Sequence, residues 1–226
     1  MTNDSEFTYE YSQPSAYRFS LDSVYLAKKV AKLYRTKNIE WDKLKVLDLC
    51  SGCGVIGFEF LFFSPECRAL DFIEVQASYL PHFKANQKGI LPLLQKKSLE
   101  SEFHLMNFLQ FSKKHPDKRY GLILCNPPYF FQGEGILSPS EFKNRCRFFL
   151  DASFQELIQF IVNHLDENGE AYILVRPGSH HGKNILNLSH QYLQQDTLHG
   201  GLFSCDIVDN VRGTDVLCIS HKAPII

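Results

Sequence analysis

An amide, two prolines and a phenol stand together at Asn126-Pro127-Pro128-Tyr129, and their order suits one kind of chemistry. The Asn126 side-chain oxygen and the Pro127 carbonyl are two acceptors one residue apart. An exocyclic amino group on a flat ring offers two N–H donors, which such a pair would take together. Tyr129 supplies an aromatic face for the ring to stack on. The preceding run Tyr120-Gly121-Leu122-Ile123-Leu124 reads as a buried strand. Two prolines end it, since neither donates to a ladder. A residue before proline is kept out of the helical region, so Asn126 and Pro127 are presented extended at the strand tip. A proline-stiffened turn without chemistry would use the same residues, so the rest of the chain has to supply the context.

A second constellation lies upstream. The strand Lys45-Val46-Leu47-Asp48-Leu49-Cys50 runs into Ser51-Gly52-Cys53-Gly54-Val55-Ile56-Gly57 and then an apolar helix from Phe58 to about Phe63. Glycines at a strand-to-helix turn let backbone approach a ligand closely. The spacing of Gly52, Gly54 and Gly57 also fits a dinucleotide site, which keeps an NAD-dependent dehydrogenase open. Asp48 just before the turn would repel a pyrophosphate and attract a cationic sulfonium ligand with its amino group. Glu74 ends the next strand, Arg68 to Glu74, about 20 residues past the glycines, the spacing at which a carboxylate takes ribose hydroxyls. An acidic helix start would put a carboxylate there too. Cys50 and Cys53 have no second cysteine pair at zinc spacing, and His180-His181 has no spaced set of partners, so no metal is expected.

Positioning these groups needs alternating strands and helices. Helices are expected over Ser23 to Tyr34, Ala77 to Lys88, Leu150 to Leu165 and Lys183 to Leu193. Further strands are expected at Phe103 to Phe108, Glu170 to Val175, Phe203 to Val208 and Asp215 to Ser220. Lys96 to Ser98 and Lys113 to Arg119 read as exposed connectors, and Phe131 to Arg147 as a long irregular lid or substrate grip. Right-handed crossovers bring the C-terminal ends of parallel strands to one sheet edge. The glycine turn, Glu74, Asn107 and Asn126 should therefore converge. Val211-Arg212-Gly213-Thr214 suits a hairpin, adding an antiparallel edge. The expected fold class is α/β, with residues 1–12 a flexible tail and 13–226 one domain. Its parts are an N-terminal helical segment, 13–44, and a Rossmann-like core, 45–226.

Asn126-Pro127-Pro128-Tyr129 resembles the signature of S-adenosylmethionine (SAM)-dependent amino-methyltransferases, and Asp48-x-x-x-Gly52-x-Gly54 resembles the first motif of class I methyltransferases, with Cys50 where that family usually has glycine. With Tyr17-Arg18-Phe19-Ser20-Leu21-Asp22-Ser23, the chain looks like the bacterial tRNA(Val) adenine-N6 methyltransferase family. The resemblance implies a seven-stranded, mostly parallel sheet and SAM as cofactor. It implies methyl transfer to an adenine amino group in RNA, expected to be tRNA. Asn126, Pro127, Pro128 and Tyr129 would be the catalytic motif. Phe19, Asp48, Gly52, Gly54, Glu74, Asn107, Phe108 and Asn126 would hold the cofactor. Asn107 stands where the family often has an aspartate accepting from the adenine amino group. Tyr129, Phe130, Lys143, Arg145 and Arg147 are candidates for substrate contact, the basic ones for phosphates. Ribosomal RNA or a protein glutamine are alternative substrates, and a non-catalytic SAM-binding module is an alternative role. A DNA adenine methyltransferase would be expected to bring a target-recognition domain, for which the chain has no evident room.

Composition narrows the classes further. The chain has 226 residues, 44% hydrophobic, enough for one substantial core. A net charge of -1 gives no overall pull toward nucleic acid, so an RNA partner would need a local basic patch. Seven scattered cysteines and an acidic, polar N-terminus suggest a reducing, cytoplasmic interior. No apolar run suits a membrane span.

Overall fold

The computed structural model describes residues 8–94, 99–180, 183–196, 198–199 and 201–222. The connector at Lys96 to Ser98 and the residues His181 and Gly182 lie outside the described residues, as do residues 1–7.

Five parallel strands make the sheet's body: β1 (Lys45–Leu49), β2 (Ala69–Glu74), β3 (Phe103–Leu105), β4 (Tyr120–Cys125) and β5 (Leu165–Val175). Ser179–His180 (β6) and Lys183–Asn184 (β7) form a small separate hairpin. The terminal hairpin of β8 (Phe203–Val211) and β9 (Thr214–His221) closes the large sheet, with β9 antiparallel to β5. The order is β3-β2-β1-β4-β5-β9-β8, seven strands. The expected mostly parallel α/β sheet with an antiparallel terminal hairpin is the observed one.

Alternation along each strand sends side chains to two cores. Val46, Leu70, Phe72, Leu122 and Leu124 meet α1 (Leu21–Thr36), α2 (Val55–Phe63) and α3 (Leu80–Ile90) on one face. Leu47, Ile73, Ile123 and Ile173 meet α4 (Phe108–Lys114), α6 (Phe154–His164) and α7 (Ile185–Gln195) on the other. Helices on both faces explain why the central strands read as unbroken apolar runs.

Two expected boundaries shift for local reasons. The third strand stops at Leu105, because Asn107 turns the chain into α4 by accepting from the Leu109 N–H at 2.8 Å. The irregular segment after Phe131 contains α5 (Glu141–Arg147), capped by the Ser140 hydroxyl. Helix α6 begins only at Phe154, where Ser153 and Glu156 form a capping box.

Residues 8–12, within the stretch expected to be a tail, are held in the fold. From Thr8 the chain is fixed against α2 and α3. Thr8 and Tyr11 donate hydroxyl hydrogen bonds of 2.6 and 3.0 Å to the Glu59 carboxylate. Asn86 clasps the Ser12 backbone at both its N–H and its carbonyl, at 2.7 and 2.9 Å, and donates to the Cys53 carbonyl at 3.0 Å. No described helix is long and apolar enough to cross a membrane.

Candidate active site

Strand register assembles the site. Leu49 pairs with Ile73 on one side and Cys125 on the other, so Cys50, Glu74 and Asn126 emerge side by side at the sheet's C-terminal edge. A cleft opens there, lined by the glycine turn, Glu74, Met106 to Phe108, Asn126 to Tyr129, Arg145, Cys146 and residues 148–152. Gln13 and Tyr17 to Ser20 form the remaining wall. With the N-terminal anchors, they make a strap tied at Ser12 and again at α1. Of the proposed cofactor residues, Phe19, Gly52, Glu74, Asn107, Phe108 and Asn126 all reach this cleft, and so do Pro127, Pro128 and Tyr129.

The turn works through backbone geometry. Gly52 has φ +54° and Gly54 +86°, in the left-handed region. A Cβ on Gly54 would sit 2.6 Å from the Phe58 ring. Cys50 keeps the same backbone sign, φ +58°, with a side chain; this is the departure from glycine seen in the sequence, and it holds a strained conformation costing about 1–2 kcal/mol. The Gly52 N–H donates to Glu74 Oε2 at 2.9 Å, and the Gln76 N–H to Oε1 at 2.8 Å. Burial pushes the Glu74 carboxyl up, and these N–H donors pull it back.

Asp48 is a correction. It is fully buried and does not line the cleft. Its Oδ2 accepts from the Gly57 N–H at 2.8 Å, Oδ1 has no partner, and burial raises its pKa well above the ordinary carboxylate range. It ties the turn to α2 from below, so no direct ligand contact follows. Gly54 likewise lies behind the cleft wall and shapes the turn. Asn107 reaches the cleft, but its Oδ1 caps α4 and its Nδ2 donates to the Asp151 carbonyl at 2.8 Å.

At the strand tip, Asn126 Nδ2 donates to Ser23 Oγ at 2.9 Å. Ser23 is buried in α1, 103 positions away. That bond commits the amide nitrogen to the protein and leaves Oδ1 as the acceptor for a ligand. Ser23 ends the Tyr17 to Ser23 segment that carries the resemblance, but nothing in the sequence paired it with Asn126.

The substrate candidates divide. Tyr129 and Arg145 line the cleft; Phe130, Lys143 and Arg147 lie outside its walls. Arg145 is not a free cation, for both its Nε and a terminal nitrogen grip the Asp151 carboxylate, at 2.9 and 2.7 Å. That partner raises its pKa. A cluster missed in the sequence stands beside it: Tyr79 hydroxyl and Gln76 amide both meet the Cys146 thiol at 3.3 Å, with the Tyr79 ring against Gly52. Among the described residues, no group of His, Cys, Asp and Glu is arranged to hold a metal.

The methyltransferase small domain model matches residues 32–199, from α1 through α7. The chain belongs to the methyltransferase small domain family. That family's fold is the one seen in solved SAM-dependent methyltransferases. An Agrobacterium tumefaciens SAM-dependent methyltransferase superposes with TM-score 0.55 at 13% identity, over 90% of this chain and 63% of that one. Precorrin-6y C5,15-methyltransferase from Geobacter metallireducens gives 0.55 at 11%, over 95% of both. TrmN from Thermus thermophilus gives 0.50 at 14%, over 88% of this chain and 49% of that one. At such identities the likeness is one of fold. This chain spans less than two thirds of the Agrobacterium protein and about half of TrmN. No curated protein matches it by sequence.

Proposed function

We propose that this chain transfers a methyl group from SAM to the exocyclic amino group of adenine in RNA, with tRNA the expected substrate. The observation that carries this reading is the shared cleft. Asn126, Pro127, Pro128 and Tyr129 face the same space as Gly52 and Glu74.

The residues present fit SAM. Glu74 is nearly buried at the cleft wall, and its carboxylate keeps acceptor capacity for ribose hydroxyls beyond the backbone N–H groups it takes. Phe19, Met106 and Phe108 offer apolar surface for the adenine. When bound, SAM supplies a methyl group already activated by its sulfonium charge.

The chain's own residues have to prepare the acceptor nitrogen, whose lone pair is delocalised into the ring. Asn126 Oδ1 and the Pro127 carbonyl would accept its two N–H bonds, easing pyramidalisation and aiming the lone pair. Tyr129 would stack on a base drawn out of its helix or loop. The product cation loses its proton readily, so no dedicated general base is assigned.

The test is incubation with methyl-labelled SAM and, separately, bulk tRNA, ribosomal RNA and protein, followed by hydrolysis. Label in N6-methyladenosine from tRNA, lost in Asn126→Ala with SAM affinity retained, is the expected result. Label in ribosomal RNA or glutamine would redirect the substrate assignment. Loss of SAM binding in Asn126→Ala would overturn the role of the amide.

A further inference from the structure

Phe130 follows Tyr129 directly, and its backbone is held in place. Its N–H donates to the Arg147 carbonyl and its carbonyl accepts from the Phe149 N–H, both at 2.9 Å. Two guanidiniums are positioned over its ring, Arg176 at 4.9 Å from the centroid and Arg147 at 5.4 Å. Their separation can be no greater than those two distances combined. Arg176 leaves the end of β5 and is exposed. Arg147 ends α5 and lies close enough to Tyr17, in the cleft wall, to act on its phenol.

Two other cations at this edge have acidic partners. Arg145 holds Asp151, and Arg212 stands 4.0 Å from Asp22. Among the described residues, Arg147 and Arg176 have no carboxylate at ion-pair distance, and none accepts a hydrogen bond from either side chain. A position at the C-terminus of α5 suits Arg147 through the helix dipole, but does not account for Arg176. Two like charges held over one ring repel. The ring attracts each guanidinium through its face, and a guanidinium held that way keeps its N–H edge available for an oxyanion.

We propose that Arg147 and Arg176, seated on Phe130, form a grip for a phosphodiester of the polynucleotide whose base enters the cleft beside Tyr129. This rests on the RNA reading above and adds to it a place where the backbone is held. A phosphate between the two guanidiniums would relieve their repulsion and fix the strand one residue from the catalytic tip. Phosphate contacts position a nucleic acid without reading its sequence. A chain with net charge -1 gains its attraction for RNA from such a local site.

The test is fluorescence anisotropy with a labelled tRNA transcript across a salt series, for wild type, Arg176→Ala and Arg176→Lys, with SAM affinity measured alongside. Arg176→Ala should weaken tRNA binding several-fold and reduce the slope of log K against log salt by about 1. SAM affinity should stay unchanged, and Arg176→Lys should restore most of the slope. If wild type binds and methylates tRNA while Arg176→Ala keeps its affinity and slope, the grip is wrong and the RNA reading stands. If wild type neither binds nor methylates any RNA, both fall. Saturable binding of inorganic phosphate, lost in Arg176→Ala while tRNA binding is untouched, would assign the pair to a free anion and overturn the polynucleotide grip.

Discussion

Replacing Ser23 with alanine isolates one hydrogen bond in the proposed amino-group clamp. The hydroxyl accepts from Asn126 Nδ2 at 2.9 Å, and that contact holds the amide with Oδ1 toward the cleft. Turned over, the amide would present its own N–H donors to the substrate amino group, a repulsive pairing. A neutral hydrogen bond of this kind contributes about 1 kcal/mol net, so its loss should lower kcat roughly five- to tenfold. Removing the amide altogether, as in Asn126→Ala, should cost roughly 100- to 1000-fold, the range for loss of one preorganised polar contact to a transition state. The assay is labelled methyl incorporation into the accepted RNA at saturating SAM, with SAM affinity measured separately. Ser23→Ala should lower kcat and leave SAM affinity unchanged, and Ser23→Thr, which keeps the hydroxyl, should recover part of the loss. A Ser23→Ala enzyme with wild-type kcat would refute the idea that α1 sets the amide's direction. So would a parallel fall in SAM affinity, which would make Ser23 a structural support of the whole cleft.

Other outcomes follow from the same geometry. Glu74→Gln should weaken SAM binding about tenfold or more by calorimetry, since a charge-assisted acceptor becomes neutral and the new amide N–H groups oppose those of Gly52 and Gln76. Gly54→Ala, with its Cβ forced onto Phe58 at a positive φ, should destabilise the protein by about 1–3 kcal/mol in urea unfolding; an unchanged midpoint would contradict the account of the turn. Burial raises the pKa of both Asp48 and Glu74, so the folded state holds these protons more tightly than the unfolded chain. Stability should therefore fall as pH rises from the ordinary carboxylate range through the raised values. Asp48→Asn, which keeps an acceptor for the Gly57 N–H, should flatten that decline and gain stability at neutral pH. A steeper decline would argue that the Asp48 charge itself supports the fold.

Much of the sheet could be read in advance because β1, β2 and β4 are covered on both faces, and double burial writes itself as unbroken apolar runs. Glu74 and Asn126 could be placed because parallel topology brings strand ends together whatever the loops do. What could not be read was the direction of individual side chains. Asp48 and Asn107 stand where ligand contacts were expected, yet the first turns down to Gly57 and the second caps α4. Short polar side chains at strand ends have backbone donors within reach, and satisfying those donors competes with any external role. Arg145 was legible as a cation but not as the partner of Asp151. Helix α5 was hidden because its seven residues are too few to show a period. The Ser23 contact joins positions more than 100 residues apart, and no local pattern encodes it.

Fastening the strap at both ends restricts how the cleft can open. Asn86 holds it at Ser12, the helix beginning at Leu21 holds it at the other side, and the intervening stretch carries Tyr17 and Phe19. A ribbon pinned at two points can bow outward, but it cannot swing aside like a door on one hinge. Asn86 also grips the Cys53 carbonyl in the glycine turn, so lifting the strap at Ser12 pulls on the loop beneath the cleft. Widening the roof and loosening the floor are thereby one coupled motion.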